Sequence, residues 1–192
     1  MFLIRRPSPS DIDRFLDRSR DLPLSYGPIG VVRRPSDGGR FDEQDVTIGH
    51  GAVDFERARL ALSTWKHFDI GWVALFPRSA SIQTGTIVAV LIRHLGFWSL
   101  NGARVIYQLG DADDHARFGF AYGTLTNHAE SGEELFEVFI DQQSGDVKYR
   151  IRAVSWPQSP LTWIGQPIVR LLQERFRRDS AEAMRRAIAA RP

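Results

Sequence analysis

The dipeptide Asn101-Gly102 stands between two apolar segments, Phe97-Trp98-Ser99-Leu100 and Ala103 to Leu109. A two-residue hairpin turn of type I′ needs positive φ at both central positions, and Asn-Gly meets that need at little cost. The pattern therefore predicts that Thr86 to Leu100 and Ala103 to Leu109 pair antiparallel, with Gly96 as a bulge. A chain built around such a hairpin is committed to an antiparallel sheet.

Further strands follow from alternation: Val46-Thr47-Ile48, Gly71 to Phe76, Ala116 to Thr124, Glu133 to Ile140 and Val147 to Ser155. The last two are joined by the polar turn Asp141 to Asp146. Setting Ile140 opposite Val147 places Val138 against Tyr149, Phe136 against Ile151 and Glu134 against Ala153 on one face. On the other face it places Glu137 against Arg150, an ion pair expected in solvent.

Three segments read as helices. Residues 10 to 21, with Ser10 as N-cap, carry Ile12, Phe15 and Leu16 on one side. Val53 to His67 repeats Phe55, Ala58, Leu62 and Trp65 at three- and four-residue steps. A long C-terminal helix, with Pro167 as its first residue, carries the stripe Ile168, Leu171, Leu172, Phe176, Met184 and Ile188. Between the first two helices, Gly27 to Gln44 is rich in Gly, Pro, Asp and Arg and reads as a surface loop. The expected organisation is a short helix and loop extension over residues 1–44, then a single α+β domain over 45–192. Its architecture is a curved antiparallel sheet wrapped around a long C-terminal helix, the helix-grip arrangement, which leaves an apolar space between the two.

With 192 residues, 43% of them hydrophobic, the chain can bury a substantial core. It has no cysteine, which excludes a disulfide framework, thiol catalysis and cysteine-ligated metals and fits a reducing, cytoplasmic setting. Met1-Phe2-Leu3-Ile4 meets Arg5-Arg6 too soon for a signal-peptide core, and the apolar run Ile87 to Ile92 is far too short to span a membrane. The formal charge is only +2, too weak a field to point to nucleic acid. No Walker loop, dinucleotide fingerprint, nucleophile elbow or zinc-protease motif is present, so no cofactor is implied.

The run Phe118-Gly119-Phe120-Ala121-Tyr122-Gly123-Thr124-Leu125, with His128, Glu130 and Gly132-Glu133-Glu134, resembles the family known as domain of unknown function 1990. So do Gly71-Trp72-Val73, Tyr149-Arg150-Ile151-Arg152-Ala153 with Ser155, and Arg175-Phe176-Arg177-Arg178-Asp179-Ser180. The resemblance runs from about His50 to Met184 and carries no catalytic residues over. By element order the chain is similar to START-like, polyketide-cyclase-like ligand binders.

The candidate site is the sheet face beneath the last helix. There Glu134 and Tyr122 are the candidate catalytic pair, since a carboxylate on an apolar wall is desolvated and its pKa rises into the useful range; the alternative is that Glu134 sits on the rim at the strand's end with its carboxylate in water. Phe120, Phe136, Val138, Tyr149, Trp98, Leu172 and Phe176 are the candidate ligand-binding residues; Tyr149 would help orient the carboxylate. A metal site at His128, Glu130, Glu133 and Glu134 is disfavoured because Glu133 and Glu134 point to opposite faces of a strand; the loop reads as a polar hairpin. His50, His67, His94 and His115 read as turn or surface residues. Amides of Gly49-His50-Gly51 before a helix give a weak anion signal. The arginines of the last helix, Arg170, Arg175, Arg177, Arg178, Arg185 and Arg186, read as a solvated face rather than a phosphate-binding one.

Three functions fit. The leading one is a binder of a small apolar or amphipathic ligand between sheet and C-terminal helix. The second is an enzyme of the same fold, cyclase- or dehydratase-like, using Glu134 for proton transfer. The third is a protein-interaction module docking through the arginine face or the Gly27 to Gln44 loop.

Overall fold

A computed structural model describes residues 2–33, 39–110, 116–156 and 166–190. The elements in chain order are β1 (Phe2–Leu3), α1 (Pro9–Ser19), β2 (Arg40–His50), α2 (Gly51–Ser63), a 3₁₀ turn (Lys66–Phe68), β3 (Val73–Phe76), β4 (Ile87–His94), β5 (Phe97–Leu109), β6 (Arg117–Thr124), β7 (Ser131–Ile140), β8 (Asp146–Trp156) and α3 (Gln166–Ala189). Seven strands form one antiparallel sheet in the order β2-β8-β7-β6-β5-β4-β3, and the two-residue β1 adds beside β5. This is the expected α+β arrangement of a sheet gripping a C-terminal helix.

The hairpin expected at Asn101-Gly102 lies elsewhere. His94 pairs with Phe97, so the two-residue turn is Leu95-Gly96, with φ of 48° and 82°. Gly96 is therefore a turn residue, and the bulge of β5 falls between Val105 and Tyr107. Asn101 and Gly102 sit inside β5, opposite Val90 and Ala89. They are used to dock the 125–129 loop. The Gly102 carbonyl accepts from the Leu125 amide at 2.9 Å, the Asn101 side chain accepts from the Ala129 amide at 3.2 Å, and a Cβ on Gly102 would lie 2.3 Å from Asn127 Oδ1.

The β7–β8 register holds at every expected pair. Its polar pair does not lie in solvent: Glu137 is buried beneath Arg117 and Arg150, and Arg150 also binds Asp45 of β2 at 2.5 Å.

Helix α1 is capped by Ser8, not Ser10; Ser8 and Asp11 bond each other's backbone in a capping box. Its Ile12 and Phe15 are buried against Ala89, Leu91 and Leu100 on the convex face. Helix α2 ends at Ser63, four residues before the periodicity does, because Trp65 takes a left-handed conformation (φ 60°) and turns the chain into the 3₁₀ segment. Phe55, Ala58, Leu62 and Trp65 are nonetheless buried together in the concave core with Met184 and Ile188 of α3.

The segment expected as a surface loop is largely structured where it is described. Val31 and Val32 are buried on the convex face with Ile106, Ala121, Leu135 and Val154, and Arg40 to Gln44 belong to β2, so residue 45 falls inside a strand. Arg34 to Gly38, His115 and Leu161 to Gly165 lie outside the described residues.

Candidate functional site

Strands β6 and β7 set Phe118 against Val138, Phe120 against Phe136 and Tyr122 against Glu134 on the concave face. Alternation along the strand produces this, since residues two apart share a face. The Tyr122 hydroxyl donates to Glu134 Oε2 at 2.6 Å. On β8, the Tyr149 hydroxyl lies 2.9 Å from Ser180 Oγ of α3. The structure thus brings Tyr122, Glu134, Phe136, Val138 and Tyr149 onto one surface.

Among the described residues, that surface is fully buried at one end and partly exposed at the other. Phe120, Phe136, Val138 and Tyr149 have essentially no exposed area. They are covered by the aromatic layer after α2, with ring centroids 4.7 Å apart for Trp65 and Phe120, 4.5 Å for His67 and Phe136 and 5.9 Å for Phe68 and Phe136. In this packing the four lie beneath that aromatic layer. Towards the other end Glu134, Glu130, Leu172, Gln173 and Phe176 are partly exposed, and Phe176 closes on Phe68 at 5.2 Å. Trp98 is separated from all of them. With the turn at Leu95-Gly96 it shares the parity of Leu100 and faces convexly, packed near α1 with Arg6 and Arg93 over its ring at 5.6 and 5.8 Å.

The electrostatics follow from burial. Desolvation raises Glu134 to about 7; the Tyr122 hydrogen bond and the Arg177 charge pull the other way, and Glu130 adds to the rise. Glu130 is itself raised by burial, against a hydrogen bond from Gln173 at 3.1 Å. Tyr122 is driven well above its ordinary range, first by burial and then by the adjacent carboxylate, so it stays protonated as a donor. A carboxyl poised near neutrality beside a fixed phenol can take or give a proton on a bound molecule.

Other expected features resolve differently. His67 is fully buried, not a turn or surface residue, and neither ring nitrogen has a partner among the described residues; burial alone pushes its pKa down to about 3. The aromatic neighbours Trp65 and Phe68 were the sequence signal for that. His128 Nδ1 accepts from the Glu130 amide at 2.9 Å, and Glu133 faces convexly, where it accepts from Tyr26, Tyr107 and the Gly30 amide. No group of three His, Asp or Glu side chains that could hold a metal occurs among the described residues. The amides before α2 are engaged, His50 with Asp54 and Gly51 with the Gly145 carbonyl. The arginines of α3 are engaged within the protein: Arg175 and Arg178 pair with Asp179, Arg185 and Arg186 with Glu182, and Arg177 approaches Asp42 at 4.0 Å. Among the described residues, no helix is long and apolar enough to cross a membrane.

The motif residues converge on the junction of α3 with the sheet. The Trp72 indole donates to Asp179 at 3.0 Å while Arg175 stacks over its ring at 4.7 Å, and the next residue, Ser180, meets Tyr149. Comparison with known proteins agrees. The family model described as Domain of unknown function (DUF1990) matches residues 25–183. A UPF0548 protein of Dictyostelium discoideum is 31% identical over 209 residues, covering 99% of this chain and 97% of its own length. One of Deinococcus radiodurans is 34% identical over 200 residues, covering 97% and 98%. Among solved structures, Ara h 8.0201 gives a TM-score of 0.51 at 12% identity, over 80% of this chain and all of its own. The Zhui aromatase/cyclase from Streptomyces sp. R1128 gives 0.52 at 13%, over 79% and 94%. These two likenesses establish the fold alone, whereas the sequence matches span nearly the whole chain: the protein is a helix-grip member of the DUF1990 (UPF0548) family.

Proposed function

We propose that the protein binds a small apolar or amphipathic ligand between the sheet and α3, at the end where Tyr122, Glu134, Leu172 and Phe176 meet. The observation that carries this reading is Glu134, a partly exposed carboxyl set on an apolar wall with a single hydrogen-bond donor among the described residues, Tyr122 at 2.6 Å. Desolvating a carboxyl costs free energy, and a ligand that supplies a polar group at that point and apolar surface to Leu172 and Phe176 offsets it. Ligand sites commonly combine apolar walls with few polar groups. The aromatase/cyclase neighbour supports the reading by fold analogy only.

Native mass spectrometry of the purified protein should show an adduct that organic extraction releases, and the stripped protein should bind 1-anilinonaphthalene-8-sulfonate. Leu172→Trp, which fills the partly exposed end, should weaken that binding by about tenfold or more, as removal of a well-packed contact does. Adduct-free protein that ignores the probe overturns the reading.

The proton-transfer reading is favoured by one further observation, the rise of Glu134 to about 7. It predicts that Glu134→Gln keeps probe binding but loses turnover of the extracted compound; full turnover in that variant removes it.

A further inference from the structure

We propose that the β4–β5 hairpin tip and the start of the chain form a docking surface for an anionic lipid bilayer, a property independent of the site beneath α3. The turn residue Leu95 carries the argument first. A leucine at φ 48° is strained, since its Cβ crowds the carbonyl oxygen, and Asn or Gly fills such a turn position more cheaply. Here the costly residue also points its side chain outward, 71% exposed. An unfavourable backbone choice that presents an apolar group to water is explained by something that receives that group.

The surroundings say what receives it. Phe97 is 50% exposed, and the pairing of Leu3 with Trp98 brings Ile4, 81% exposed, alongside. The last β3–β4 pair is Val73 with Ile92, so the tip runs past its neighbouring strand. Arg5, Arg6 and Arg93 are exposed around it. No carboxylate occurs between Ile70 and Gly110 or before Asp11. Asp11 is itself held by Ser8 and Arg14. Arg6 and Arg93 lie over the Trp98 ring, and none of the three arginines is ion-paired among the described residues. The arginine-rich helix α3 differs, because most of its charges are matched by its own acids.

A projecting apolar tip with a ring of unmatched guanidinium groups suits the headgroup region of an anionic bilayer. The apolar side chains enter the acyl boundary while the arginines stay at phosphate level. A second copy of the chain is the poorer occupant. A two-fold contact through this tip would set the arginines of one protomer against those of the other.

Cosedimentation of the full chain with vesicles of dioleoylphosphatidylcholine, with and without about 30 mol% dioleoylphosphatidylglycerol, tests the proposal. Binding is expected with the anionic vesicles and should fall about fivefold or more when salt rises from about 50 to about 300 mM. Leu95→Asn with Phe97→Ser, and separately Arg5→Glu with Arg6→Glu, should each reduce it by at least about fivefold. Circular dichroism checks folding; if the first pair misfolds, Leu95→Asn alone is compared, since asparagine suits the turn. Wild type that does not sediment with anionic vesicles, or sedimentation unchanged in both sets, overturns the proposal. So does a lipid-free dimer, seen by analytical ultracentrifugation, that Leu95→Asn dissociates. Probe binding beneath α3 should be equal in all these variants, which separates this test from that of the ligand site.

Discussion

The two nitrogens of His67 lie in an aromatic layer with no hydrogen-bond partner among the described residues. Glu134, at the other end of the same layer, has one donor among the described residues. Their pKa shifts act on stability with opposite sign. For His67 the folded value of about 3 lies below the ordinary 6.5, so in that interval the unfolded chain binds a proton that the folded one refuses, and stability falls as pH drops below 6.5. For Glu134 the folded value of about 7 lies above the ordinary 4.5, so the folded chain holds the extra proton, and its contribution is present below 4.5 and lost as pH rises through 7. In urea titrations across this range, His67→Phe should be more stable than wild type by about 1 kcal/mol or more at pH 7. Its advantage should widen towards pH 4. Glu134→Gln should gain on wild type only above about pH 5. A His67→Phe protein less stable than wild type would mean that the ring nitrogens have a partner when the protein is at work.

At the scale of elements, the two turns of β5 show how a correct rule can be applied at the wrong place. Positive φ at two successive residues is what the hairpin needs, and Leu95-Gly96 supplies it. Leu95→Asn should therefore stabilise the fold by about 0.5–1 kcal/mol, seen as a higher urea midpoint with unchanged slope; a lower midpoint would mean that Leu95 packs in a way its exposure denies. Asn101-Gly102 has the chemistry of a turn, and local chemistry does not reveal that the same pair docks a loop distant in sequence, at Asn127 and Ala129. Moving the turn also moved Trp98 to the convex face, which no periodicity within β5 could have announced. The β7–β8 register was legible because alternation there is strict and one face is apolar. From it the Tyr122, Glu134 and Tyr149 surface could be located. For His67 the signal lay in its aromatic neighbours Trp65 and Phe68 and not in periodicity, because the helical spacing of α2 continues to residue 67 while the backbone leaves the helix at Ser63.

Across the whole molecule, the sheet is covered on both sides. α2 and α3 close the concave face; α1 and the segment around Val31 and Val32 close the convex one. The convex cover is tied by Glu133, which accepts from Tyr26 at 2.9 Å, the Gly30 amide at 2.8 Å and Tyr107 at 2.7 Å. Glu133→Ala orphans three donors and should cost about 3 kcal/mol, with faster tryptic cleavage at Arg33. An unchanged unfolding midpoint would show that the segment is held by its valines alone. Glu133 and Glu134 are neighbours in sequence, yet one is saturated by partners on the convex side and the other is left nearly bare on the concave side. A slip of β7 by one residue would set a glutamate in one or other of these places again, but it would also carry Glu137 away from Arg117 and Arg150 and into the apolar face now filled by Phe136 and Val138. Glu137 thus acts as a parity mark for β7, because an odd misalignment would leave a carboxylate in the core without its arginines.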